Sequence, residues 1–220
     1  AEGLAMRISF DQDLKMLHEE IVKMLSMTEE AIDGAMVALK NQDVELARKV
    51  IAGDDIIDSQ EAKIEKLCLD IIVRQAPLAG DLRKITSIFK LITDLERIAD
   101  HAEDISEIVV KIYNERLMKP LVDLPKMAGI DRTMVSEVIA GYMQGDIELA
   151  LEACKDDQIV DDYYVKIYNE LIEMMKSNPA VVEQGVALIT IAKYLERIAD
   201  HATNIGEWAV FSQSGEHPHF

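Results

Sequence analysis

Apolar residues recur every three or four positions from the start of the chain: Phe10, Leu14, Leu17, Ile21 and Leu25, with the stripe continuing to Leu39. That is the period of an amphipathic helix. Asn41-Gln42-Asp43 interrupts it and can cap a second helix, which runs to about Gln75, just before Pro77. A third helix is expected from near Leu78 to about Arg116. Then Lys119-Pro120-Leu121-Val122-Asp123-Leu124-Pro125 stops helix propagation with two prolines. Beyond it the spacing predicts helices near 126–143, 146–176 and 180–211, the last started by Asn178-Pro179. No segment alternates with a period of two over a useful length, so strands are not expected.

The second half repeats the first. Residues 95–102 and 195–202 are the same eight, Leu-Glu-Arg-Ile-Ala-Asp-His-Ala. Upstream, Asp43-Val-Glu-Leu-Ala matches Asp146-Ile-Glu-Leu-Ala at an offset of 103. Asp54-Asp55-Ile-Ile-Asp58 follows suit against Asp157-Gln-Ile-Val-Asp161. Matches in the same order in both halves are an internal duplication. The expected fold is all-α, with six long helices in two tandem, pseudo-symmetric three-helix bundles. The first bundle should span 6–118, the second 119–212, with a frayed tail over 213–220.

Composition narrows the chemistry. The 220 residues carry 41 acidic and 23 basic side chains, a net charge of −18. Such a field repels phosphates and argues against nucleic acid as a partner. With 49% hydrophobic residues the chain can bury a core. Cys68 and Cys154 belong to no Cys-x-x-Cys and read as buried free thiols in a reducing compartment. No apolar run approaches the ~18 residues of a spanning helix, and no secretory leader is evident. The expected location is therefore the cytoplasm.

Among the acids that stand four apart on predicted helices, four pairs occupy equivalent places in the two halves: Asp54/Asp58, Glu96/Asp100, Asp157/Asp161 and Glu196/Asp200. At that spacing both carboxylates share one helix face and repel. On the third helix, Leu91, Leu95, Ile98, Ala102 and Ile105 form the apolar stripe, and Glu96 and Asp100 point to the opposite side. By helical geometry alone that is a solvent face. Asp54/Asp58 and Asp157/Asp161, in contrast, interrupt apolar stripes, which is costly unless something compensates. A bound cation would turn repulsion into coordination. An all-oxygen donor set suits Mg²⁺, Ca²⁺, Mn²⁺ or iron. The pairs can also meet. Asp58 lies 19 residues before Pro77 and Glu96 lies 19 after it. That is roughly 28 Å of helix each way. In the second half the corresponding counts about Pro179 are 18 and 17.

His101 and His201 follow each Asp directly and read as helix-surface or core-edge groups, with a supporting or inter-bundle role as the alternative. Arg97 and Arg197 read as local charge partners. Met16, Met24, Met27, Met36, Met174 and Met175 read as core filling. Catalytic motifs are lacking. The one Glu-x-x-His, Glu216 to His219, contains Pro218 and cannot be helical.

At these residues the chain resembles the PhoU family of bacterial phosphate-signalling regulators. The likeness rests on Asp94-Leu-Glu96-Arg-Ile-Ala-Asp100-His101, on Leu195-Glu196-Arg-Ile-Ala-Asp200-His201, and on Pro77-Leu-Ala-Gly-Asp81-Leu-Arg83. The Asp-x-x-x-Asp motifs at 54/58 and 157/161 also match. Ala99 and Ala199 stand where the family often has Gly, and Glu183-Gln184-Gly185 replaces the Asp-Leu-Arg element in the second half. The resemblance implies two three-helix bundles, each with a multinuclear cluster of iron, zinc, manganese or magnesium on its carboxylates. It implies negative regulation of phosphate uptake and of the phosphate-starvation response, without enzymatic activity. The implied partners are the ATPase of a phosphate transporter and a sensor histidine kinase. Self-association, as a homodimer, is expected too. The competing reading is a carboxylate-bridged metalloenzyme, a hydrolase or an oxidase, using the same acids.

Overall fold

The computed structural model describes residues 2–218. These residues contain helices and no strand. Helices α1 (Glu2–Asn41), α2 (Val44–Gln75) and α3 (Ala79–Ile112) form the first bundle. Helices α4 (Asp123–Gln144), α5 (Ile147–Lys155), α6 (Asp157–Ser177) and α7 (Val182–Ser214) form the second. One turn of 3₁₀ helix, Pro179–Val181, leads into α7.

The duplication is visible in the turns. Asp43 accepts a hydrogen bond from the Leu46 amide at 3.0 Å, and Asp146 accepts one from the Leu149 amide at 3.0 Å. Each caps the N-terminus of the next helix. The residue before each cap, Gln42 and Gly145, has positive φ, at 51° and 67°. Both turns thus use one geometry, and residue n of α1 corresponds to residue n + 103 of α4.

The expected stripe is the core. Leu91, Leu95, Ile98, Ala102 and Ile105 are buried on α3, as are Leu195, Ile198, Ala202 and Ile205 on α7. Helices α3 and α7 pack against each other more extensively than any other pair, so the two motif-bearing helices form the spine joining the bundles. Ridges of small residues allow close approach in the second bundle. A Cβ on Gly206 would lie 2.3 Å from Cys154 Sγ.

Three expectations need correction. The fifth helix is broken at Asp156 into α5 and α6. The third helix ends at Ile112 rather than Arg116. The tail is not frayed as far as Pro218, the last described residue. Gly215, at φ 76°, returns its amide to the Phe211 carbonyl, and His217 packs edge-on against Trp208 at 4.5 Å. His219, and with it the Glu216-to-His219 spacing, lies outside the described residues. Both cysteines are free and buried. Met24 is fully buried, but Met16 is half exposed, so core filling holds for only part of the methionine set.

Candidate metal centres

Helix α2 carries Asp54, Asp58 and Glu61 on the face that meets α3, and α3 answers with Glu96, Asp100 and Glu103. Ligand oxygens of Asp54, Asp58 and Asp100 lie within 4.8 Å of one another, and so do those of Asp58, Glu61 and Glu96. Oxygens bound to one cation at about 2.0–2.6 Å are separated by at most about twice that. The two groups share Asp58 and are therefore contiguous. The geometry suits more than one ion.

The outward direction expected for Glu96 and Asp100 is corrected here. Their side chains are only 16% and 25% exposed. Helix α3 packs against α1, α2 and α7, and α2 brings its own acids against the Glu96/Asp100 face. The wheel treats everything opposite the best stripe as solvent, and for a helix inside a two-bundle protein that is wrong. Asp58 is the exposed member, so the cluster remains open to solvent.

Proton affinities report the crowding. Burial, a hydrogen bond with Asp100, and repulsion from Asp100, Glu61 and Asp58 push the Glu96 carboxyl up to about 8. Burial, a hydrogen bond with Asp54, and repulsion from Asp54 push Glu103 up to about 7. A hydrogen bond between two carboxyl groups requires a proton on one of them. Without a cation, protons take over part of the neutralising role. Burial, then repulsion from Asp58 and Glu65, also raises Glu61. Asp54 is raised chiefly by burial, and its Oδ1 is buried without a hydrogen-bond partner. Arg97 is 3.2 Å from Asp100 and 3.9 Å from Glu96, a local charge partner.

The second bundle repeats the arrangement more loosely. Burial and the charges of Asp161, Asp200 and Glu196 push Asp157 up to about 6. Asp161 and Asp200 are raised by burial first and by Glu196 next. The four paired acids therefore face one another across α6 and α7. Among the described residues, however, no three acids of this bundle come within 4.8 Å. Here Glu196 already has a cationic partner, Lys193, whose Nζ lies 3.1 and 3.2 Å from its two oxygens. The counterpart of Lys193 in the first bundle is Thr93, which bonds its own helix at Phe89 O.

Further acids join the expected pairs. Glu61 continues the Asp54/Asp58 stripe along α2, as the sequence spacing places it, and Glu103 extends the α3 ladder by a turn. Asp131 is a different case. It is fully buried, and neither of its oxygens has a hydrogen-bond partner. Burial first, then Asp157 and Asp200, raise it well above the usual carboxylate range. Its signal was an acid in the α4 core stripe, between Met127, Ala128, Met134 and Val135.

The motif histidines are interface groups. His201 Nδ1 donates to Asp94 Oδ1 at 2.9 Å, and Asn204 Nδ2 donates to the same oxygen at 3.2 Å. The His101 and His201 rings meet at 5.7 Å, and His101 stacks on Tyr194 at 5.4 Å. His101 also bonds Asp104 at 3.2 Å.

Fold and site together define a duplicated helical-bundle protein in which each bundle sets carboxylates of two adjacent helices against one another. The PhoU domain family matches it twice, over residues 21–109 and 124–209, and the chain belongs to the PhoU family. It is 36% identical over 208 residues to a phosphate-specific transport system accessory protein PhoU homolog of Clostridium acetobutylicum, covering 94% of this chain and 95% of that one. It is 38% identical over 205 residues to the Aquifex aeolicus homolog, covering 93% of each. The crystal structure of PhoU from Pseudomonas aeruginosa superposes with a TM-score of 0.89 at 30% identity, over 94% of this chain and all of that one. The phosphate transport system regulatory protein PhoU from Streptococcus pneumoniae gives 0.88 at 27%, over 96% and 100%.

Proposed function

We propose that the protein is a cation-binding, non-catalytic regulator of phosphate uptake, acting in the cytoplasm as an adaptor between a phosphate ABC transporter and a sensor histidine kinase. The reading rests on family membership across nearly the whole chain, together with relatives named as accessory proteins of the phosphate-specific transport system. No helix of the described residues is long and apolar enough to cross a membrane, so contact with the transporter would be through its protein surface. A net charge of −18 favours a basic docking surface on the partner.

The residues fit a resident cation. Asp54 Oδ1 and Asp157 Oδ1 are buried without partners, an arrangement that a cation would satisfy. The donors are carboxylate oxygens, the chemistry of hard cations. Asp54, Asp58, Glu96 and Asp100 would hold it in the first bundle, and Asp157, Asp161, Glu196 and Asp200 in the second. A bound cation would supply positive charge that fixes α2 to α3 and α6 to α7. The same positive charge would give an acidic protein somewhere to receive an anionic group. Homodimers are the proposed assembly.

The test is complementation. Expressed in a bacterium deleted for its own PhoU, the chain should restore repression of a phosphate-starvation reporter in high phosphate. Failure to repress, with the protein folded and abundant, would overturn the regulatory reading.

A further inference from the structure

The two bundles solve one problem with different residues. Because residue n of α1 corresponds to n + 103 of α4, Asp131 stands where the first bundle has Thr28. Thr28 is also fully buried, but its Oγ1 is satisfied by the Met24 carbonyl at 2.9 Å. The two copies of Leu-Glu-Arg-Ile-Ala-Asp-His-Ala fix the other correspondence, between Glu103 and Thr203. Thr203 Oγ1 is buried and unpartnered. The exchange is reciprocal. The first bundle has a threonine on its opening helix and an acid on its closing helix, and the second has an acid on its opening helix and a threonine on its closing one.

Both acids approach the same part of the repeat. Glu103 hydrogen-bonds Asp54, and the charges acting on Asp131 are those of Asp157, the equivalent of Asp54, and Asp200. Asp131 is carried by α4, which packs against α6 and α7, and it lies close enough to Asp157 and Asp200 for their charges to act on it. A fully buried carboxylate with both oxygens unpartnered is expensive in an apolar stripe. Core packing alone would be served by any apolar residue at that position.

We propose that Asp131 is the inner cation ligand of the second bundle, in the place that Glu103 holds in the first, so that a bound cation ties α4, α6 and α7 together. The inference rests on the cation-binding reading above. It adds a ligand and a third helix to the second site. In the first bundle, by contrast, the acids come from α2 and α3 alone.

Full-length protein loaded with Mn²⁺ and desalted tests the inference by elemental analysis, titration and thermal melting. Asp131→Asn should weaken second-bundle Mn²⁺ about tenfold or more and leave the first bundle loaded. It should lower the melting temperature of the Mn²⁺-loaded protein and change that of the chelated protein much less, because the cation bond it removes exists only in the loaded state. A purely structural role would lower both. The double variant D131T/T203E transplants the first-bundle arrangement and should recover the Mn²⁺. If D131N binds Mn²⁺ like the parent while D157N/D161N loses it, Asp131 is not a ligand and the cation-binding reading survives. If the parent itself retains no Mn²⁺, that reading fails and the inference falls with it.

Discussion

Asp94 of the first bundle receives His201 of the second at 2.9 Å, so the repeated motif of one half is held by the residue just before the repeated motif of the other. The relation is not mirrored. His101 turns to Asp104 on its own helix instead. The two histidine rings meet across the contact of α3 with α7, yet only His201 takes a carboxylate partner from the other helix. Asp94→Asn should therefore loosen α3 from α7, at a cost of roughly 1–2 kcal/mol for a part-buried bond to a charged group. Asp104→Asn should have a smaller effect, since its bond is within one helix. Denaturant melts of both variants rank them, and equal losses would count against the asymmetry.

Glu96 and Glu103 set the pH response of the chelated protein. Their folded-state values, about 8 and about 7, lie above the ordinary glutamate value of 4.5. The folded protein therefore binds protons more tightly than the unfolded chain. The stabilisation is fully present below about pH 4.5 and is lost as pH rises through 7 and 8. Melting temperature in chelator should fall between pH 5 and pH 8.5. Glu96→Gln should flatten part of that slope, because its amide no longer titrates. A variant whose profile runs parallel to the parent's would show that Glu96 does not carry the effect.

Much of the fold is written in local pattern. Asp43 and Asp146 mark their turns by residue type, and equal helix lengths on either side of Pro77 and Pro179 bring the acid pairs to matching heights. The break at Asp156 left no comparable mark. Neither glycine nor proline stands there, and Gly53, the equivalent residue in the first bundle, lies inside an unbroken α2. A single-helix wheel sends Glu96 outward because it does not know that α3 has neighbours on more than one side. Asp131 carries no such local mark for a related reason. A search for acids four apart finds ladders on one helix, whereas this carboxylate comes within range of the charges of Asp157 and Asp200 only when α4 folds against α6 and α7.

The caps should carry equal weight in both halves. Asp43→Ala and Asp146→Ala each remove one bond to a helix N-terminus, at 3.0 Å in both cases. Each should cost about 1 kcal/mol, and the double variant should be additive because the turns share no partner. Urea unfolding of the two single variants and the double variant measures this directly.

Gly206 tests the close approach of α5 to α7. An alanine there would put Cβ 2.3 Å from Cys154 Sγ and 3.3 Å from Val138 Cγ1. Gly206→Ala should lose about 1–3 kcal/mol by overpacking. Adding Cys154→Ala removes the obstructing sulfur and should recover part of the loss. Gly185→Ala makes a useful contrast. Its nearest neighbour is the Met175 side chain, with Sδ at 2.6 Å, and a methionine can swing aside. No recovery in the double variant would mean that the backbone, not Cys154, sets the spacing.

Lys193 should make the second site harder to load than the first. Its ammonium already neutralises Glu196 at 3.1 Å, so an incoming cation must displace it or do without that carboxylate. The Lys193 Nζ also lies 5.1 Å above the Tyr164 ring, a second contact that holds it in place. Thr93 in the first bundle imposes no such competition, because its hydroxyl is spent on Phe89 O. Lys193→Thr should therefore let the second bundle take up Mn²⁺ at lower concentration. The reverse change, Thr93→Lys, should raise the concentration needed to fill the first. Removing one competing ion pair is worth on the order of 1 kcal/mol in a part-buried setting, or roughly fivefold in affinity. Mn²⁺ titration followed by electron paramagnetic resonance separates the two sites when D58N/D100N or D161N/D200N silences one of them. If Lys193→Thr leaves the second-bundle titration where it was, the lysine is a bystander, and the looser geometry of those acids must come from the packing of α6 against α7.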